Sequence, residues 1–185
     1  MPACAIGHSA GAAILARMSL DGRIALRELV SLNGALLPMR GIAGEFFAPL
    51  AKLLVQSSLV PRLFAWRAAD PGVVDRLLRD TGSRLDAEGA GYSRRLARSP
   101  AQVAAALDMM ANWDLRSLEH DLPALQPHLT LVAATDDGTI PSADSYRVHA
   151  ILPKSQVVRL RGLGHLAHEE KPASIAELIF KLAAD

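Results

Sequence analysis

The sequence predicts an α/β fold: a parallel sheet with crossover helices, interrupted by a helical insertion. Three observations carry this. The apolar run Pro2-Ala3-Cys4-Ala5-Ile6 leads straight into Gly7-His8-Ser9-Ala10-Gly11 and an alanine-rich stretch. From residue 129 onward, apolar strand-like runs alternate with helical segments. Between the two, about Gly41 to Asn112, only helical periodicity is seen. Strand–helix–strand units with tight connections build parallel sheets.

The opening run reads as a short buried strand. Its helix covers about Ala10 to Met18, and its alanines let it lie close to a sheet; Asp21-Gly22 stops it. Leu29-Val30-Ser31-Leu32 is a second strand, ended by Asn33-Gly34. In the insertion, Phe46, Phe47, Leu50, Leu53 and Leu54 share one helical face. Further helical segments run near Val73 to Arg79 and Ala87 to Ala97, and Ser99-Pro100 supplies an N-cap and first-turn proline for a helix to Met110. Pro61, Pro71 and Pro100 divide the stretch. The αβ rhythm resumes with strand 129–134, a helix from Ser142 to Leu152, and Gln156-Val157-Val158-Arg159-Leu160, which alternates like a strand nearer the sheet edge. Pro172 starts a closing helix.

A chain of 185 residues suffices for one core with a decorated edge, not for two independent domains. Half the residues are hydrophobic, 21% are charged and the net charge is +1, the profile of an ordinary globular protein. The 20 Lys and Arg are scattered, which gives no reason to expect nucleic acid or an acidic surface as partner. The single cysteine, Cys4, excludes an internal disulfide, fits a reducing compartment, and reads as a small packing residue. No apolar run reaches the roughly 18 residues needed to span a bilayer. The N-terminus lacks the regions of a signal peptide, so the expected location is cytoplasmic.

The chemistry starts at Ser9. A serine hydroxyl is a poor nucleophile until a base takes its proton. G-x-S-x-G between a strand and a helix presents the serine on a tight, strained bend, with glycines on either side where a Cβ would clash. The N–H of Ala10, at the helix N-terminus, can donate to a developing oxyanion. The base is expected late in the chain. His165 ends Gly162-Leu163-Gly164-His165, a loop at the carboxyl end of the last strand, where α/β active sites form. His168 is expected to pack or cap, and His8 to shape the pocket floor. The acid should follow the preceding strand, where Asp136 and Asp137 are adjacent and their side chains point apart, so one of them reaches the histidine. The reaction needs no metal or organic cofactor.

The elbow, the D-x-x-I-P segment from Asp137 to Pro141 and the G-x-G-H-x-x-x-x-E-x-P segment from Gly162 to Pro172 resemble the α/β-hydrolase superfamily from end to end of the chain. Matching D-x-x-I-P selects Asp137 over Asp136, and assigns Glu170-Lys171-Pro172 to a structural helix start. Four further stretches resemble more narrowly the BchO-type α/β-hydrolases of bacteriochlorophyll biosynthesis, the magnesium chelatase accessory proteins. They are Gly7 to Ala13, Ser31 to Pro38, Leu59 to Trp66, and Asn112-Trp113-Asp114-Leu115. The resemblance implies a tetrapyrrole pathway. It also implies a partial fold: residues 1–40 and 113–185 as the C-terminal part of the hydrolase sheet, and 41–112 as a helical cap. The strands before the elbow, and the loop that donates the other oxyanion N–H, would be missing. Loss of one such donor typically costs about 10² to 10³ in rate, and an uncovered central strand invites aggregation. A truncated, weakly active or inactive chain is therefore the expectation.

The insertion holds Phe46, Phe47, Phe64, Trp66 and Tyr92, with Trp113 beside it. Phe46, Phe47, Phe64, Trp66, Met109 and Met110 can line an apolar pocket, or simply pack the cap. The expected ligand is a hydrophobic small molecule, a tetrapyrrole by the resemblance. Two functions remain: a serine hydrolase of an ester or related acyl bond, or a non-catalytic accessory protein that binds a porphyrin or a chelatase subunit.

Overall fold

The computed structural model describes residues 4–38 and 59–184. The chain divides into two compact units, residues 1–37 with 80–84 and 115–185, and residues 38–79 with 85–114.

The first unit is built on a sheet of four parallel strands in the order β1 (Cys4–His8), β2 (Glu28–Leu32), β3 (His128–Ala134), β4 (Gln156–Leu160). The register is continuous: Gly7 faces Ser31, Ser31 faces Leu131, and Leu131 faces Val157. The two central strands are mostly apolar and, apart from His128 at the start of β3, buried, as strands covered on both faces must be. β4 lies at one edge, with Gln156 and Arg159 exposed and Val157, Val158 and Leu160 partly buried rather than in strict alternation. The sequence reads the first strand as buried, but β1 is only partly so, and Ile6 is 46% exposed. The cause is position: among the described residues β1 pairs with β2 alone.

Helix α1 (Ala10–Leu20) packs on β1 and β2 through Ala12, Ala13 and Ala16, which recur at helical spacing and are all buried. It ends at Asp21, whose N–H reaches Arg17 O, and at Gly22 with φ 68°. Gly34 packs against Ser31 and Ala12, so the Gly7 and Ser31 face is the one α1 covers. Alternation sends Val30, Leu32, Val132 and Ala134 to the other face. There they pack with Ala167 and Ile175. Returning from the second unit, the chain forms α6 (Arg116–Asp121) and a 3-10 turn at Leu122–Ala124. After β3 come α7 (Ser142–Ile151), α8 (Ala167–Glu170) and α9 (Pro172–Ala184).

The second unit holds α2 (Leu59–Arg67), α3 (Pro71–Asp80), α4 (Ala87–Ala97) and α5 (Pro100–Ala111). Asp86 and Ser99 cap α4 and α5 by accepting from Gly89 N and Gln102 N. Pro61 sits in the first turn of α2, where its missing N–H costs nothing, as Pro71 and Pro100 do at the starts of α3 and α5. α2 and α4 both pack on α5, and Arg94 clamps Asp75 with Nε and Nη2 at 2.9 and 2.7 Å. The expected helical face at Phe46 to Leu54 lies outside the described residues.

Candidate active site

Four loops meet at the carboxyl ends of the four strands. The first is the elbow. Ser9 has φ 51° and ψ −120°, a strained backbone for a residue with a Cβ. Its N–H donates to Leu32 O at 3.1 Å, and its carbonyl accepts from Ala12 N and Ala35 N at 3.2 and 3.0 Å. These bonds hold the bend. A Cβ on Gly7 would stand 2.5 Å from Ala12 Cα and N, so glycine is required there. Gly11 differs from the expectation: among the described residues nothing lies within 4 Å of where its Cβ would be. The steric need is one-sided because α1 folds back over Gly7 only. Ala10 is the first residue of α1, and its N–H has no carbonyl to meet within the helix.

The loop after β3 carries the two aspartates. Asp137 Oδ1 accepts from Thr139 N and Ile140 N at 2.7 and 2.8 Å, which turns Oδ2 toward His165 Nδ1 at 2.8 Å. The Asp137 side chain is 1% exposed and that of His165 8%. Asp136 points away and accepts from Thr135 Oγ1. The tether to Asp137 leaves Nε2 as the free nitrogen of the His165 ring.

The main chain of His165 is held from three sides. Its N–H donates to Thr81 O at 3.1 Å, and its carbonyl accepts from Asn33 Nδ2 at 2.8 Å and His8 Nε2 at 2.9 Å. The His8 ring lies between two others, with centroids 4.7 Å from His165 and 4.4 Å from His168. Burial, with the neighbouring imidazoles adding to it, pushes the His8 pKa down to about 4 against the pull of the His165 carbonyl and Asp137. Burial also lowers that of His168, against the pull of Glu169. Among the described residues, the elbow reaches His165 through His8, while Ser9 Oγ makes no hydrogen bond to the ring. Such bonds are often long before substrate binds.

Sequence reasoning missed the segment 80–84 and Asn33. Thr81 O accepts from both Gly138 N and His165 N, and Ser83 Oγ accepts from Leu166 N. Cβ atoms on Gly82, Gly138 or Gly164 would strike the backbone of Asp136, Asp80 and Gly82 respectively. Three glycines far apart in sequence thus allow three backbones to interlock. No local pattern signals such a junction. Asn33 reads from sequence as a strand stop, and its φ of 46° agrees, but its side chain is buried and used. Glu170 Oε1 accepts from Gly164 N at 2.8 Å, so the residue expected at a helix start also shapes the histidine loop.

Of the candidate pocket residues, Phe46 and Phe47 lie outside the described residues. Phe64, Trp66, Met109 and Met110 belong to the second unit and are 51, 69, 40 and 36% exposed. His8 is not a bare floor: it is bonded to the histidine loop. No cluster of three or more metal-ligating side chains occurs among the described residues, and none of their helices is long and apolar enough to cross a membrane.

Known proteins share the fold of this chain. A magnesium-chelatase 30 kDa subunit from Rhodobacter capsulatus is 34% identical over 178 residues, 96% of this chain and 62% of its own length. The chain thus spans under two thirds of that relative. An esterase from Exiguobacterium antarcticum superposes with a TM-score of 0.72 at 13% identity, covering 97% of this chain and 66% of that one. A bromoperoxidase from Bacillus anthracis gives 0.70 at 16%, with 98% and 67% covered. These likenesses concern the fold. The model of the alpha/beta hydrolase family matches residues 2–178, which takes in the elbow, both later loops and the stretch between them, and the chain belongs to that family.

Proposed function

We propose that this chain carries the catalytic residues of a serine hydrolase acting on an ester, or a related acyl bond, of a hydrophobic substrate. The observation that carries the reading is the buried 2.8 Å contact between Asp137 Oδ2 and His165 Nδ1, on loops at the same sheet end as the strained Ser9 elbow. Ser9 Oγ attacks the acyl carbon as its proton passes to His165 Nε2. Asp137 fixes the tautomer and stabilises the imidazolium. Ala10 N–H faces the developing oxyanion. The tetrahedral intermediate expels the alcohol, which takes the proton from His165. Water, deprotonated by the same nitrogen, then releases the acid and frees Ser9.

The likeness to a protein called a magnesium-chelatase subunit supports a setting in bacteriochlorophyll or tetrapyrrole biosynthesis, with a tetrapyrrole ester as substrate. It equally favours a second reading, in which the protein binds a porphyrin or a chelatase subunit and Ser9 is dispensable. Ser9→Ala separates them. Hydrolysis of p-nitrophenyl esters and labelling by a fluorophosphonate should vanish in the variant, while porphyrin binding persists. Full pathway function with Ser9→Ala would overturn the hydrolase reading.

A further inference from the structure

We infer that Asn33 is a positioning residue: its carboxamide, together with the His8 imidazole, holds the main-chain carbonyl of His165 and so sets where Nε2 of that ring stands. The inference rests on the proposed role of His165 as the base. The His165 ring has two anchors, its Nδ1 tether to Asp137 and its own main chain. With Nδ1 held at 2.8 Å, a shift of the main chain pivots the ring about that bond and swings Nε2, the atom that must meet Ser9. Holding the peptide group still is therefore a condition for holding Nε2 still.

The peptide is held fully. A carbonyl oxygen has two lone pairs, and that of His165 receives two donors, one from the end of β1 and one from the end of β2. Asn33 is 3% exposed and all its polar atoms are engaged: Nδ2 donates to Gly164 O and His165 O, while Oδ1 accepts from Ala134 N at 2.8 Å. The network admits one orientation, since a flipped amide would set its oxygen against two carbonyls. An asparagine that only stapled neighbouring strands would be satisfied by β3. Two of these three bonds go instead to the histidine loop. Asn33 also holds φ 46°, a conformation open to few residues other than glycine, as a backbone bent to aim a side chain does. His8 serves as the second donor while neutral, with its single proton on Nε2, because a carbonyl only accepts.

The test compares Asn33→Gly, which suits the left-handed backbone and deletes all three side-chain bonds, with Asn33→Asp, which keeps the shape and the Oδ1 acceptor but turns an oxygen toward both carbonyls. Far-UV circular dichroism and melting establish folding. In p-nitrophenyl acetate hydrolysis, kcat should fall about ten- to a hundredfold with KM within about threefold. The NMR signal of the His165 Nδ1 proton should move or broaden. Folded variants that keep both kcat and this signal would overturn the proposal, as would failure of both to fold, which makes Asn33 purely structural. If the parent hydrolyses nothing and Ser9 is not labelled, the hydrolase reading fails, and the proton signal alone still decides Asn33.

Discussion

Gly82→Ala tests the interlock that joins segment 80–84 to the loops of Asp137 and His165. Gly82 has φ 77°, and a Cβ there would run into the carbonyl of Asp136. The left-handed backbone costs an L-residue roughly 1–2 kcal/mol. Forcing a methyl against immobile backbone costs about 1–3 kcal/mol more. Reduced freedom of the unfolded chain returns about 0.4–1 kcal/mol. The net loss is about 3 kcal/mol, or roughly 6–12 °C in Tm for a chain of this size. Gly22→Ala isolates the strain: its φ is 68°, and nothing among the described residues lies within 4 Å of the added Cβ. That variant should lose about 1 kcal/mol. Denaturant unfolding and thermal melts of both measure the difference. The Asp136 carbonyl must retreat, and its neighbour is Asp137, so ester hydrolysis should fall in Gly82→Ala and stay at parent level in Gly22→Ala. Equal destabilisation of the two variants would refute the steric reasoning.

Asp137→Asn should lower kcat by roughly 10⁴-fold with little change in fold, because the imidazole loses its fixed tautomer; a steady-state rate within tenfold of the parent would remove Asp137 from the mechanism. For His8, a folded pKa of about 4 lies below the ordinary 6.5, so the unfolded chain binds the proton first as pH drops. The native state therefore loses stability between pH 6.5 and 4, and not above. In His8→Gln this component disappears, so its Tm deficit relative to the parent should shrink across that window; a constant gap counts against the assignment. Ser31 Oγ is buried with no hydrogen-bond partner among the described residues. Ser31→Ala should therefore be neutral or raise stability by about 1 kcal/mol in chemical denaturation, and a marked loss would mean the hydroxyl is satisfied after all.

Local order was legible in the sequence because its causes are local. The alanines at 12, 13 and 16 mark the sheet side of α1, Asp21-Gly22 its end, and Ser99-Pro100 the start of α5, each through contacts within a turn or two. The apolar runs at 29–32 and 129–134 mark strands buried on both faces. The bends at Ser9 and before His165 were legible for a similar reason, since the glycines beside them report the backbone that presents those side chains. Asp137 needed the motif as well, because two adjacent carboxylates look alike in sequence. Their difference arises when Thr139 and Ile140 aim one of them.

What the sequence determined by itself, then, is the α/β class, the bend at Ser9 and the two later loops, one carrying Asp136 and Asp137 and the other His165. Tertiary structure decided what holds them. Asn33 and His8 share one acceptor with each other only because β1 and β2 lie side by side with their carboxyl ends level, 131 or more residues before Gly164 and His165 in the chain. Gly11 proves free of the crowding that Gly7 and Gly82 show, because sterics are set by whichever backbone arrives in space. The loop of His165 is held beside the Ser9 elbow by bonds that no stretch of sequence contains.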